Sequence, residues 1–190
     1  MINFEQDWTF ASALENNSCG KNIGIDLTLE RFFSNNYYYL ITTSLFNSTY
    51  QGGDDIWRSS RFNKGYVINL LAGKEFYLRN NRVLGINGRI NVMGGQRFSP
   101  VLTEQSLQQR NVIYDHTKAF TRRGEPIYYL DATITYRKNK KRYSAVWALQ
   151  VKNILGSPLY EGEYYNYRSN SIESAETVII VPVISYKVEF

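Results

Sequence analysis

The chain has 190 residues, enough for one domain with a sizeable core, and a net charge of +5 that raises the question of nucleic acid. The basic residues answer it: Arg79 and Arg82, Arg122 and Arg123, and Lys138 to Arg142 are scattered over separate turns and loops. No basic helix, zinc-finger spacing or RNA-recognition signature accompanies them, so nucleic acid is not an expected partner.

Hydrophobic content is 43% and mean hydropathy is −0.39, values that suit a soluble protein, whereas 16 Tyr and 10 Phe stand out. No apolar run reaches about 18 residues, so a transmembrane helix is not expected. A membrane barrel escapes this test, because its strands alternate lipid-facing and lumen-facing side chains. Cys19 is the single cysteine and excludes an intrachain disulfide. The opening MINFEQDWTFASALENN has no basic n-region, apolar h-region or cleavage site.

Alternation predicts eight strands. Residues 2–14 put Phe4, Trp8, Phe10 and Leu14 on even positions, and 15–22 read as a loop. In 23–33, Ile23, Ile25, Leu27, Leu29 and Phe33 alternate with Gly24, Asp26, Thr28 and Glu30. The turn Ser34-Asn35-Asn36 follows, since asparagine tolerates left-handed backbone. Across 37–48, Tyr37, Tyr39, Ile41 and Leu45 share a parity, but Tyr38, Leu40 and Phe46 make the other nearly as apolar, and its faces stay unassigned.

A polar connection over 49–63 leads to a strand from Tyr66 through Ile68, Leu70 and Ala72 to Phe76 or Tyr77. After the turn 79–82, Leu84, Ile86, Ile90 and Val92 alternate, with Gly88 and Gly94 on the same parity as signs of bending or close approach. The stretch 96–125 reads as one long irregular loop. Tyr128, Leu130, Ala132, Ile134 and Tyr136 make the next strand, 138–141 a turn, and Tyr143, Ala145, Trp147, Leu149 and Val151 the return strand. A polar loop over 152–176 precedes the last strand, 177–190. There Val178, Ile180, Pro182, Ile184, Tyr186, Val188 and Phe190 form one apolar face that runs to the final residue. Pro182 donates no ladder hydrogen bond, so a bulge or an unpaired edge is expected there.

Short turns (34–36, 79–82, 138–141) alternate with longer connections (15–22, 49–63, 96–125, 152–176). In an antiparallel up-and-down transmembrane β-barrel, short periplasmic turns and long extracellular loops segregate to opposite ends in this way. The expected fold is therefore all-β, a barrel segment of about eight strands over 1–190. Its C-terminus falls on the short-turn side, with Tyr186, Val188 and Phe190 as the assembly signal of a closing strand. Trp147 and Tyr143 read as part of the lipid-facing belt.

Several stretches carry a resemblance: Arg61-Phe62-Asn63 with Gly65-Tyr66, the run NLLAGKEF at 69–76, and Gly94-Gly95-Gln96-Arg97-Phe98-Ser99-Pro100. Tyr129-Leu130-Asp131, QVKN at 150–153, Val181-Pro182 and Glu189-Phe190 complete it. In order and spacing, from about Gly24 to the end, they resemble the C-terminal barrel region of TonB-dependent outer-membrane receptors. The likeness is to the Bacteroidetes type with a carboxypeptidase-like regulatory extension. Such receptors resemble plugged barrels of about 22 strands. The resemblance implies a fragment of a nutrient transporter for a siderophore, cobalamin, glycan or peptide, resident in the bacterial outer membrane. It implies as partners outer-membrane lipid, the barrel-assembly machinery, the N-terminal barrel and plug of the same receptor, and a surface lipoprotein. Two other readings fit the alternation: a complete eight-stranded outer-membrane adhesin or anchor, and a soluble lipocalin-like barrel with its apolar parity turned inward.

No catalytic set assembles. His116 beside Asp115 reads as a solvated loop histidine, Asp54-Asp55 as a turn lacking calcium-loop spacing, and Glu161 and Glu163 are merely close in sequence. Gly94-Gly95 is no phosphate loop, since no lysine or helix follows as one requires. An enzyme, a metal and a cofactor are not expected. Tyr160, Tyr164, Tyr165 and Tyr167 are the candidate ligand contacts, because exposed rings stack on sugars and chelates; packing among the loops is the plainer alternative.

Overall fold

The computed structural model describes residues 18–190. The expected strand 2–14 lies outside the described residues. The main sheet is antiparallel, with neighbours in the order β1 (Cys19–Ser34), β2 (Tyr37–Gln51), β4 (Tyr66–Leu78), β5 (Arg82–Met93), β8 (Ile127–Asn139), β9 (Ser144–Lys152) and β12 (Val181–Glu189). The short β3 (Trp57–Ser59) pairs with β2 beyond the reach of β4. Each long strand pairs with the next along the path, so consecutive connections fall at alternate ends and the short turns share one end.

The sheet is open. Among the described residues β1 and β12 do not pair, so the eight strands expected as a barrel segment form one open antiparallel sheet and do not close on themselves. The physical reason is reach: seven long strands and one three-residue strand leave both margins with unpaired backbone groups.

The register aligns the apolar parities across the whole sheet. Leu29, Ile41, Leu70, Ile90 and Leu130 form one cross-strand row, and Lys74, Ile86, Ile134, Leu149 and Ile184 another. Toward the short turns, Phe76, Leu84, Tyr136, Trp147 and Tyr186 form a row rich in rings. A one-residue slip in any pairing would break all of these rows, so the register is strongly specified. It also settles β2, whose Tyr39, Ile41 and Leu45 join the apolar face. Tyr38, on the other face, covers Gly73, where an added Cβ would run into the ring.

The opposite face is polar. Asn69 donates to Thr42 at 3.1 Å, Asn91 donates to Asn69, and Arg89 pairs with Asp131 at 2.5 Å. Ile86, Ile134 and Leu149 are exposed, whereas Val83 and Gly85 on the polar face are buried and Thr133 and Thr135 half-buried. The polar face is therefore the more crowded one. A Cβ on Gly85 would strike the Thr135 hydroxyl, while one on Gly88, on the apolar face, would meet only a backbone oxygen at 3.6 Å.

Turn chemistry follows the sequence. Asn35 and Asn36 carry φ of 53° and 68°, and Asn80 and Asn81 carry 65° and 55°, the left-handed pairs that tight hairpins require. The long connections are more ordered than expected. The stretch 96–125 holds β6 (Arg97–Phe98), helix α1 (Thr103–Gln109), a 3₁₀ turn at His116–Lys118 and β7 (Arg122–Arg123). The expected loop 152–176 is instead mostly a hairpin of β10 (Leu159–Asn166) and β11 (Ser171–Thr177). Accordingly Thr177 ends β11, and the last strand begins at Val181 rather than Thr177. Pro182 lies in continuous register with Val151, without a bulge; it is accommodated because β12 is a sheet edge.

Candidate functional site

The site is built where the strands leave the sheet at the long-loop end. Asn63, almost fully buried, donates to Asn47 at 2.8 Å and Ser59 at 3.2 Å, and its carbonyl accepts from Arg97 at 3.1 Å. Gly94 donates to the Tyr66 carbonyl at 3.0 Å. A Cβ on Gly94 would collide with the Lys64 carbonyl and one on Gly95 with the Gly124 carbonyl, so only glycine admits this crossing. The stretches Arg61-Phe62-Asn63, Gly65-Tyr66 and Gly94 to Pro100 thus form one junction. Ser99, at 1% exposure, accepts there from the Phe120 amide at 3.2 Å.

A second junction joins Asp131 to Asn153. Asp131 accepts from the Asn153 amide at 2.9 Å, while the Asn153 side chain donates to the carbonyls of Ser157 at 3.0 Å and Ile179 at 3.1 Å. Asn153 takes φ of 53°, turning the chain out of β9 and fixing the base of the β10–β11 hairpin. Both motifs were visible in the sequence; their meeting was not, because Asp131 lies on β8 and Asn153 follows the end of β9.

The hairpin carries the tyrosines. Its tip is shaped by Asn166, whose side chain accepts from the Arg168 amide at 2.9 Å, and by Asn170 at φ of 55°. Glu173 collects donors from Ser169 at 2.5 Å, Asn166 at 2.9 Å, Ser171 at 3.1 Å and Tyr164 at 3.1 Å. Led by the Ser169 and Asn166 hydrogen bonds, these hold its carboxyl down at about 2. The same Glu173 contact raises the Tyr164 phenol above its ordinary value.

Tyr164, Tyr165 and Tyr167 come together along an open groove of about 710 Å³, whose other wall is the chain around α1, including Gln105, Gln109 and Asn111. Tyr165 is 7% exposed and meets Tyr167 edge to face at 4.9 Å between centroids. Tyr167 is exposed and its hydroxyl donates to the Arg110 carbonyl at 3.4 Å. Tyr165 therefore packs within the loops, while Tyr164 and Tyr167 present surface. Tyr160 is elsewhere, tilted against Phe98 at 4.8 Å in a separate cleft, and this pairing was not foreseen. The residues Gln96 to Phe98 carry no sequence signal for it beyond one aromatic in a polar stretch.

No family model, curated protein or solved structure matches this chain.

The remaining candidates are placed as follows. Tyr186 packs on Trp147 at 5.3 Å, Val188 faces Ala145 in register, and Phe190 lies beyond β12, fully exposed and 6.5 Å from the Tyr143 ring. Asp54 is bound to the buried Arg58 guanidinium at 2.6 Å, which holds its carboxyl below the usual range and puts a positive charge where a cation would sit. Asp115 caps the 3₁₀ turn that His116 begins, accepting from the Thr117 amide at 3.0 Å. Among the described residues no three His, Cys, Asp or Glu side chains gather as metal ligands.

Proposed function

We propose that this chain is the C-terminal wall of an outer-membrane TonB-dependent receptor for nutrient uptake, of the siderophore, cobalamin, glycan or peptide class. The observation that carries the reading is the single apolar face running in register from β1 to β12, exposed on one side of an open sheet. Water penalises such a face and lipid accepts it. Its proportions fit: Tyr128 and Tyr136, the aromatic residues toward the two ends of β8 on that face, stand about 26 Å apart along the strand at ~3.3 Å per residue. Tilted as barrel strands are, that separation is on the order of the apolar band between two aromatic girdles.

In this reading the row Phe76, Tyr136, Trp147 and Tyr186 is the girdle at the short-turn interface. The polar face lines the lumen. The open margins of β1 and β12 are closed by neighbouring strands of the same receptor, since lipid leaves no unpaired backbone unpunished. The β10–β11 hairpin and the chain around α1 form the outer rim that meets ligand.

The test is membrane fractionation of bacteria expressing the chain, with heat-modifiable gel mobility, beside a version lacking Phe190. The expected result is recovery in the outer-membrane fraction, sharply reduced without Phe190, while folding in detergent is the same for both. Recovery as a stable monomer in detergent-free buffer would overturn the proposal.

A further inference from the structure

Where β8 begins, a second cleft of about 250 Å³ opens between the residues entering that strand and the base of the β10–β11 hairpin. Phe98 and Tyr160 supply an aromatic wall with centroids 4.8 Å apart, and Pro126, Ile127 and Pro158 an apolar lining. Glu125 and Glu176 also line it, both exposed. We infer that this cleft is a binding site for an organic ammonium group, held over the Phe98–Tyr160 rings with its charge answered by Glu125 and Glu176.

Three observations support that chemistry. Ring faces carry negative potential and attract cations, most strongly those whose shell of methyl or methylene groups is weakly hydrated. The Phe98 ring already takes one: the Arg122 guanidinium lies 5.9 Å from its centroid. Arg122 is itself answered by Glu163 at 3.7 Å, and Glu125 and Glu176 have no ion-pair partner within 4.0 Å among the described residues. An anion would meet two carboxylates here, and a neutral apolar group would leave them unused. The volume is below that of most drug-sized sites and suits a single headgroup or side chain rather than a large solute.

Such a cation has two sources, a free quaternary amine or the basic side chain of a peptide. The assignment rests on the receptor reading only for the direction in which the cleft faces. It is tested by calorimetry on the full chain in detergent with choline, with Nα-acetyl-lysine methylamide, and with 3,3-dimethylbutan-1-ol as the neutral isostere of choline. The expected result is that at least one cation binds about tenfold or more tighter than the isostere, the tighter of the two naming the source. Replacing both carboxylates (Glu125→Gln with Glu176→Gln) on this exposed surface should remove about tenfold of that affinity without altering heat-modifiable mobility. Equal binding of the isostere, or an unchanged affinity in the double variant, overturns the assignment. Failure to bind by a chain that still partitions to the outer membrane removes the cleft alone. Binding by a chain recovered without detergent removes the receptor reading alone.

Discussion

Asp131 holds Arg89 with one side of its carboxylate, at 2.5 Å, and the Asn153 backbone amide with the other, at 2.9 Å. One buried acid on β8 thereby ties β5 to the residue that follows β9, at the level where the outer hairpin departs. Replacing it with alanine strands an amide and frees the Arg89 contact. Asp131→Ala should cost about 2 kcal/mol, read as a lower midpoint of denaturant unfolding in detergent. Asn153→Ala should act on the same hairpin, and the double variant should lose less than the sum of the two.

The two faces of β8 make a matched pair of tests. Ile134 lies mid-row on the exposed apolar face between Ile86 and Leu149, and Thr133 beside it faces Asn87 and Gln150 on the polar side. In a bilayer, Ile134→Lys should destabilise by about 2–4 kcal/mol, against about 1 or less for Thr133→Lys. The comparison is made by unfolding in lipid vesicles. Equal losses at both positions would place the apolar face away from lipid.

Hairpin geometry gives a prediction independent of the membrane. Asn36 has φ of 68°, which asparagine and glycine accept and β-branched residues resist. Asn36→Gly should leave stability within a few tenths of a kcal/mol, and Asn36→Val should lower it by about 1–2 kcal/mol. Refolding yield into detergent, scored by gel mobility, ranks the two variants.

Glu173 gives the tip of the β10–β11 hairpin a defined pH window. Its folded-state carboxyl is held down at about 2 by its hydrogen bonds, led by those from Ser169 and Asn166, from an ordinary value of 4.5. A depressed acid contributes its full stabilisation above the unfolded value and loses it as pH falls through the folded one. The hairpin should therefore hold at neutral pH and loosen progressively from about 4.5 toward about 2. Amide hydrogen exchange of Ser169 and Ser171 monitors it, and Glu173→Gln should remove the pH dependence in that window.

By itself, the sequence determined the strands that have one apolar side. A period of two is a local property, so Ile23 to Leu29 on β1, Leu84 to Val92 on β5 and Tyr128 to Tyr136 on β8 announce themselves without partners. The asparagine turns are local for the same reason. Tertiary structure decided what depends on a neighbour. The faces of β2 were settled by pairing Ile41 with Leu29 and Leu70, and Asp131 found Asn153 only once β8 and β9 lay side by side. The β10–β11 hairpin stayed hidden because Leu159-Tyr160-Glu161-Gly162-Glu163-Tyr164-Tyr165-Asn166 forms a separate two-stranded sheet with polar groups on both sides. A strand with no continuous apolar face shows no clear alternation, and the order of the hairpin is supported by side-chain hydrogen bonds such as those on Glu173. The opening between β1 and β12 is likewise a property of the assembled sheet, since closure depends on how many strands complete the circle.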